Sequence, residues 1–153
     1  MRRFLFRNGY RYRIHAKVLS GTPDITLVGL RTCIFVNGCF WHGHNIDVDD
    51  STNVIDTAIE DSECCKIPHS NRTFWINKIL RNKERDHKTI LELKSQGWHT
   101  IEIWECQLKP KVREVTLKSL LRTLNIIQLE NQGAKLRYNF DEDAYSLKAA
   151  EDE

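Results

Sequence analysis

Residues 22–44 read Thr22-Pro23-Asp24-Ile25-Thr26-Leu27-Val28-Gly29-Leu30-Arg31-Thr32-Cys33-Ile34-Phe35-Val36-Asn37-Gly38-Cys39-Phe40-Trp41-His42-Gly43-His44. Ser20-Gly21-Thr22-Pro23 is a turn, after which Asp24 to Val28 runs on as an extended segment. Gly29-Leu30-Arg31 turns the chain again into Thr32–Val36, apolar enough for a central strand. Two strands joined that tightly pair as an antiparallel hairpin. Upstream, the alternation of Tyr10 to Val18 reads as a further strand. Downstream, a long helix is capped at Ser70 or Asn71 and stopped by Gly97 at the position after its last turn. Trp98–Trp104 alternates as a strand, and Val112–Gln128 carries Val115, Leu117, Leu120, Leu121, Leu124 and Ile127 on one helical face. The order β-β-β-α-β-α predicts an α/β domain around a mixed sheet.

The chain has 153 residues, one domain's worth, with 41% hydrophobic residues and enough length to bury a core without staples. A single domain over 1–136 is expected, with an acidic loop inserted at 45–63 and a disordered acidic tail at 137–153. The net charge of +2 hides an asymmetry. Residues 138–153 hold one of the 23 basic and six of the 21 acidic residues, so the rest carries 22 against 15. A body that basic favours a polyanionic partner, although many soluble domains share such an excess. No apolar run is long enough for a transmembrane helix, and Arg and Asn interrupt residues 1–15, so no membrane or export segment is expected. Five cysteines without an export signal point to a reducing cytoplasm, where clustered thiols serve metal binding or packing.

Three features carry chemistry. Cys39, His44, Cys106 and the pair Cys64-Cys65 offer nitrogen and sulfur at strand and helix ends, which can converge at one sheet edge as a closed tetrahedral zinc site. The alternative is that Cys39 and Cys106 are small buried residues. On the long helix, Trp75, Ile79, Asn82, Asp86, Ile90 and Leu93 share one stripe, so Asp86 points inward among apolar residues. An inward carboxylate needs a cation, a donor or a metal, and both a structural ion pair and an active-site partner satisfy it. Adjacent Phe40 and Trp41, between glycines and histidines, are costly to expose without use; pushed between base steps they make an apolar wedge. They also fit as core aromatics. His42 beside them suits a general base on water, since histidine titrates near neutrality, or else a further zinc ligand. Asp24 at a strand edge is where magnesium-dependent nucleases place a ligand, but Phe35-Val36-Asn37 lacks the usual acid and lysine, and a turn aspartate explains it equally.

Taken together, Gly38-Cys39-Phe40-Trp41-His42, Thr22-Pro23-Asp24, Thr73-Phe74-Trp75, Asn82-Lys83-Glu84-Arg85-Asp86, Gly97-Trp98 and Ile103-Trp104-Glu105-Cys106 resemble the very short patch repair (Vsr-type) DNA mismatch endonucleases. The resemblance runs in order from about Phe4 to Leu108. It implies a restriction-endonuclease-like mixed β-sheet flanked by helices, with a structural zinc site. It further implies a monomeric, cytoplasmic, Mg²⁺-dependent DNA repair endonuclease that nicks double-stranded DNA 5′ to the thymine of a T:G mismatch. Asp24 and the backbone carbonyl of Val36 would ligate Mg²⁺, His42 would be the general base, and Asp86 its supporting carboxylate. Phe40 and Trp41 would intercalate, flanked by Trp75. Cys39, His44, Cys106 and one of Cys64 or Cys65, with Cys65 favoured, would bind zinc; the insertion displaces that cysteine, and loop closure costs grow only with the logarithm of length. The family normally has a further N-terminal segment that supplies a metal-site glutamate and grips DNA, and this sequence begins at Met1-Arg2-Arg3 without it. The alternative function is therefore a truncated, non-cleaving, zinc-stabilised DNA-binding relative.

Overall fold

The computed structural model describes the backbone of residues 1–44 and 64–151 and the side chains of residues 1–44 and 64–133. The acidic insertion expected at 45–63 lies outside the described residues. The chain divides into two compact units, Met1–Glu114 and Val115–Glu153. The first is a mixed α/β unit: α1 (Arg2–Arg7), β1 (Arg13–Ile14), β2 (Ile25–Leu27), β3 (Thr32–Asn37), α2 (Arg72–Ser95) and β4 (His99–Trp104). No described helix is long and apolar enough to cross a membrane.

The hairpin forms as its sequence requires. β2 pairs antiparallel with β3, with Ile25 opposite Ile34 and Leu27 opposite Thr32. All three residues of β2 are buried, so it is a central strand, and only β1 lies outside it in the order β1-β2-β3-β4. β1 is shorter than the expected Tyr10–Val18, because His15 takes a positive φ of 49° and ends the extended run. Helix α1 was not expected: six residues give fewer than two turns, too few to show a helical period.

β3 and β4 run parallel, from Thr32 opposite His99 to Asn37 opposite Trp104. A parallel pair cannot be closed by a tight turn, and α2 supplies the crossover. α2 begins after Asn71, whose left-handed backbone (φ 53°) marks the start without a side-chain cap. It ends where the Gly97 N–H donates to Lys94 O and the Trp98 N–H to Leu93 O, both at 3.0 Å. That double closure needs the left-handed φ of 84° that Gly97 adopts. Arg31, at the tip of the β2–β3 turn, donates to Gln96 O at 2.9 Å and lies over the Trp98 ring, fastening the hairpin to the helix end.

The core comprises Leu5, Ile25, Leu27, Cys33, Ile34, Ile79, Leu93 and Ile103, all nearly inaccessible. A smaller cluster of Cys65, Ile67 and Ile79 gathers Phe40, Trp75 and Ile76 around it. In the second unit, α3 (Arg113–Glu151) outruns the expected helix end at Gln128. The run Ala134-Lys135-Leu136-Arg137 is built of strong helix formers, and no proline follows to stop it. Leu120, Leu124 and Ile127 form its buried stripe, whereas Val115 is exposed.

Leu93 sits on the last turn of α2 with no exposure. Leu93→Ala is expected to cost ~2–5 kcal/mol in urea unfolding, and a loss below ~1 kcal/mol would show that α2 does not close the core.

Candidate active site and metal centre

The site grows from the C-terminal end of β3. Here Asp24, just before β2, accepts a hydrogen bond at Oδ2 from the Val36 N–H at 2.7 Å. The carboxylate and the Val36 peptide, two strands' contributions read separately in the sequence, are thus in contact.

Beyond Asn37 the chain folds into a compact turn. His42 N–H donates to Gly38 O (3.2 Å), Gly43 N–H to Phe40 O (3.3 Å) and His44 N–H to Cys39 O (2.9 Å). Gly43 has φ 64°, and a Cβ there would lie 2.6 Å from Ile79 Cγ2, so the turn can press flat on α2 only with glycine at this position. Three residues of α2 hold it: Asn82 Nδ2 donates to Trp41 O at 2.9 Å, Lys83 Nζ donates to Gly43 O at 2.9 Å, and Asp86 Oδ2 meets His42 Nδ1 at 2.5 Å. The inward carboxylate of the helical stripe therefore finds a histidine rather than a structural arginine. An ionised carboxylate only accepts, so Nδ1 carries the proton and Nε2 is the basic nitrogen of the ring.

His42 and Asp86 line a cleft of about 700 Å³ between the sheet and α2, together with Asn37, Lys83, Glu102 and Trp104. Glu102 was not singled out by the sequence reading. Partial burial of its carboxyl, and then the negative charge of Asp86, push it above the ordinary carboxylate range, while His42, Lys94 and Lys83 pull it back. Its only signal was an acid inside the alternating strand Trp98–Trp104.

The aromatic residues form one cluster. Phe40 packs edge-on against Trp41 (5.1 Å between centroids) and Trp75 (5.6 Å), and Trp41 lies 6.1 Å from Trp75. Their exposure differs. Trp41 is 49% exposed, whereas Phe40 and Trp75 are half-buried on the Cys65–Ile79 cluster. Phe74, next to Trp75, is 57% exposed, and the Lys78 ammonium sits 5.2–5.8 Å from the rings of Trp41, Trp75 and Phe74.

On the other side of the turn, Cys39, His44, Cys64 and Cys106 bring their ligand atoms within 4.8 Å of one another. Cys64 Sγ is 3.1 Å and Cys106 Sγ 3.4 Å from His44 Nδ1. A tetrahedral ion with bonds of about 2.3 Å to sulfur and 2.0 Å to nitrogen holds such atoms ~3.5–3.8 Å apart, so the set fits a metal with small adjustments. His44 is stacked flat on Trp104, 4.2 Å between centroids, and burial followed by the charge of Lys83 lowers its pKa, favouring the neutral ring that ligates. The thiols are crowded: burial, a hydrogen bond from the Cys106 S–H to Cys39 and neighbouring sulfur charge push Cys106 up to about 11. The favoured Cys65 is displaced from this role. It is fully buried with Ile67 and Ile79, its S–H donates to Phe40 O at 3.5 Å, and burial first and Cys64 second push it up to about 11. Adjacent side chains leave the backbone in different directions, and the apolar pocket took Cys65.

A profile described as "DNA mismatch endonuclease Vsr" matches residues 1–48. The type II nicking enzyme V.NmeAIP of Neisseria meningitidis is 40% identical over 111 residues, covering 72% of this chain and 68% of the relative. V.XorIIP of Xanthomonas oryzae is 35% identical over 108 residues, with 71% and 68% covered. The chain belongs to the Vsr endonuclease family. The DNA mismatch endonuclease Vsr of Escherichia coli is also similar, 33% identical over 101 residues, with 66% of this chain and 54% of that protein covered.

The two neighbouring cysteines give a direct test of the metal centre. Cys64→Ser is expected to weaken metal retention at least ~10-fold and lower the melting temperature, while Cys65→Ser keeps its metal; metal analysis after dialysis with a thermal melt reads both. The reverse order would overturn the assignment.

Proposed function

We propose that this Vsr-family chain is a DNA endonuclease of very short patch repair that nicks one strand 5′ to the thymine of a T:G mismatch. The observation that carries this reading is the His42–Asp86 contact, made by the residue next to the exposed Trp41 and opening on a cleft. A base and an aromatic wedge on consecutive residues put hydrolysis one residue from the place where a duplex is tested. The proposed partner is double-stranded DNA, engaged by a monomer in the cytoplasm.

By the family resemblance, Asp24 and the backbone carbonyl of Val36 would hold Mg²⁺, which when bound would neutralise phosphate charge and stabilise the departing oxygen; the Val36 N–H already meets the Asp24 carboxylate. Everything else falls to the chain's own groups. His42 Nε2 accepts a proton from the attacking water, and Asp86, on Nδ1, holds the ring in that tautomer and stabilises the imidazolium that forms. Trp41, with Phe40 and Trp75 behind it, presents the ring that enters the base stack. A T:G wobble pair unstacks more easily than a Watson–Crick pair, so insertion discriminates by deformability. The Cys39, His44, Cys64 and Cys106 set suits a structural Zn²⁺: four nitrogen and sulfur ligands close a tetrahedron and leave no position for a substrate.

The deciding assay compares a T:G duplex with its T:A counterpart, with Mg²⁺ and with EDTA. Mg²⁺-dependent nicking confined to the mismatch is expected. Binding without cleavage would favour the non-cleaving relative instead. In the same assay, His42→Ala is expected to lower the nicking rate ~10²–10⁴-fold with the melting temperature unchanged.

Trp41→Ala isolates the wedge. Base stacking on an aromatic ring is worth ~1–3 kcal/mol, so affinity for the T:G duplex is expected to fall ~5–150-fold while affinity for T:A falls much less. Equal losses on both duplexes would exclude a role for Trp41 in discrimination.

A further inference from the structure

The turn Gly38–His44 serves three purposes within four residues: Trp41 is the exposed ring, His42 meets Asp86, and His44 joins the sulfur cluster. His42 immediately precedes Gly43, so a rotation of the Gly43 peptide would disturb the seating of the His42 ring on Asp86. Its three internal hydrogen bonds close the turn but do not fix it on the protein. That is done from α2, by residues 82, 83 and 86 gripping residues 41, 43 and 42.

Lys83 stands out among these three. Its Nζ donates to Gly43 O at 2.9 Å. Its stem lies directly beneath the same residue: a Cβ on Gly43 would stand 3.0 Å from Lys83 Cδ and 3.4 Å from Cγ. The side chain thus holds one peptide from two sides, by packing and by an ammonium–carbonyl hydrogen bond. Packing alone asks only for an unbranched apolar side chain. The ammonium adds a donor that packing does not call for, and that donor is aimed at the Gly43 carbonyl.

We infer that Lys83 is a positioning residue: by locking the Gly43 peptide on α2 it sets the orientation of His42 in the cleft. The catalytic half of this statement rests on the function proposed above; the locking of the turn does not.

Lys83→Met keeps the stem and removes the ammonium, and hydrogen exchange followed by mass spectrometry reads the turn directly. A hydrogen bond from a charged donor is worth enough that exchange in residues 38–44 is expected to speed up ~10-fold or more, with exchange elsewhere, melting temperature and metal content unchanged. On a T:G duplex, the single-turnover nicking rate is expected to fall ~10-fold or more while Kd stays within ~2-fold, because a misplaced base costs rate and not binding. Lys83→Arg restores most of both. Unchanged exchange in 38–44 overturns the inference whatever the nicking rate does. A loss of metal or of melting temperature in Lys83→Met also overturns it, since Lys83 would then hold the fold and not the turn. Faster exchange in a chain whose wild type fails to nick supports the locking and rejects the functional reading alone.

Discussion

The parallel pairing of β3 with β4 is the constraint on which the rest of the first unit depends. Parallel strands end at the same edge, so Asn37 and Trp104 lie side by side and the chain leaves both strands in one place. Gly38–His44 follows the first strand and Glu105-Cys106 follows the second. Residues separated by 62 positions, His44 and Cys106, come within 3.4 Å by that pairing alone. The same pairing demands a crossover, and a helix of 24 residues supplies it, laying Asn82, Lys83 and Asp86 across the turn that leaves β3. An antiparallel arrangement would have sent the two strand ends to opposite edges and separated the cysteines.

That arrangement also explains how a unit of this size tolerates polar groups near its core. Asp86 and His42 are each 26% exposed in their side chains and satisfy one another. The crowded thiols gather at one point where a single cation can neutralise them, and Cys65, turned the other way, remains a thiol inside an apolar cluster. The turn between these two polar centres is pressed onto Ile79 through a glycine. Charge on either side is thus separated by a few residues of closely packed backbone.

Much of this could be read from the residues. The β2–β3 hairpin, the crossover helix and the final strand followed from alternation, from turn residues and from Gly97, because those signals depend on local backbone preferences. The inward Asp86 was visible because a 3.6-residue period places it between apolar neighbours whatever the helix packs against. Other features were not legible. β1 was cut short by a positive φ at His15, a residue that carries no turn signal of its own. α1 contributes one buried residue, Leu5, too little for a period. Phe40 and Trp41 are indistinguishable by type, yet one is half-buried and the other half exposed. Lys83 stood in the Asn82–Asp86 motif with nothing in its type or spacing to show that it reaches the Gly43 carbonyl.

The amino-acid sequence by itself determined the elements and the chemical inventory: an α/β order, a carboxylate that needed a partner, an aromatic pair beside a histidine, and enough sulfur and nitrogen for one metal. Motif order along the chain was sufficient to indicate the Vsr family. Only the tertiary structure decided the pairings: His42 for Asp86, Val36 N–H for Asp24, Cys64 rather than Cys65 gathered with Cys39, His44 and Cys106, and Gly43 O for Lys83. The reason is physical. Local preferences act over a few residues, whereas a ligand or a hydrogen-bond partner is chosen by which side chains the sheet register and the helix crossing bring within about 3 Å, and that distance is set by the whole core at once.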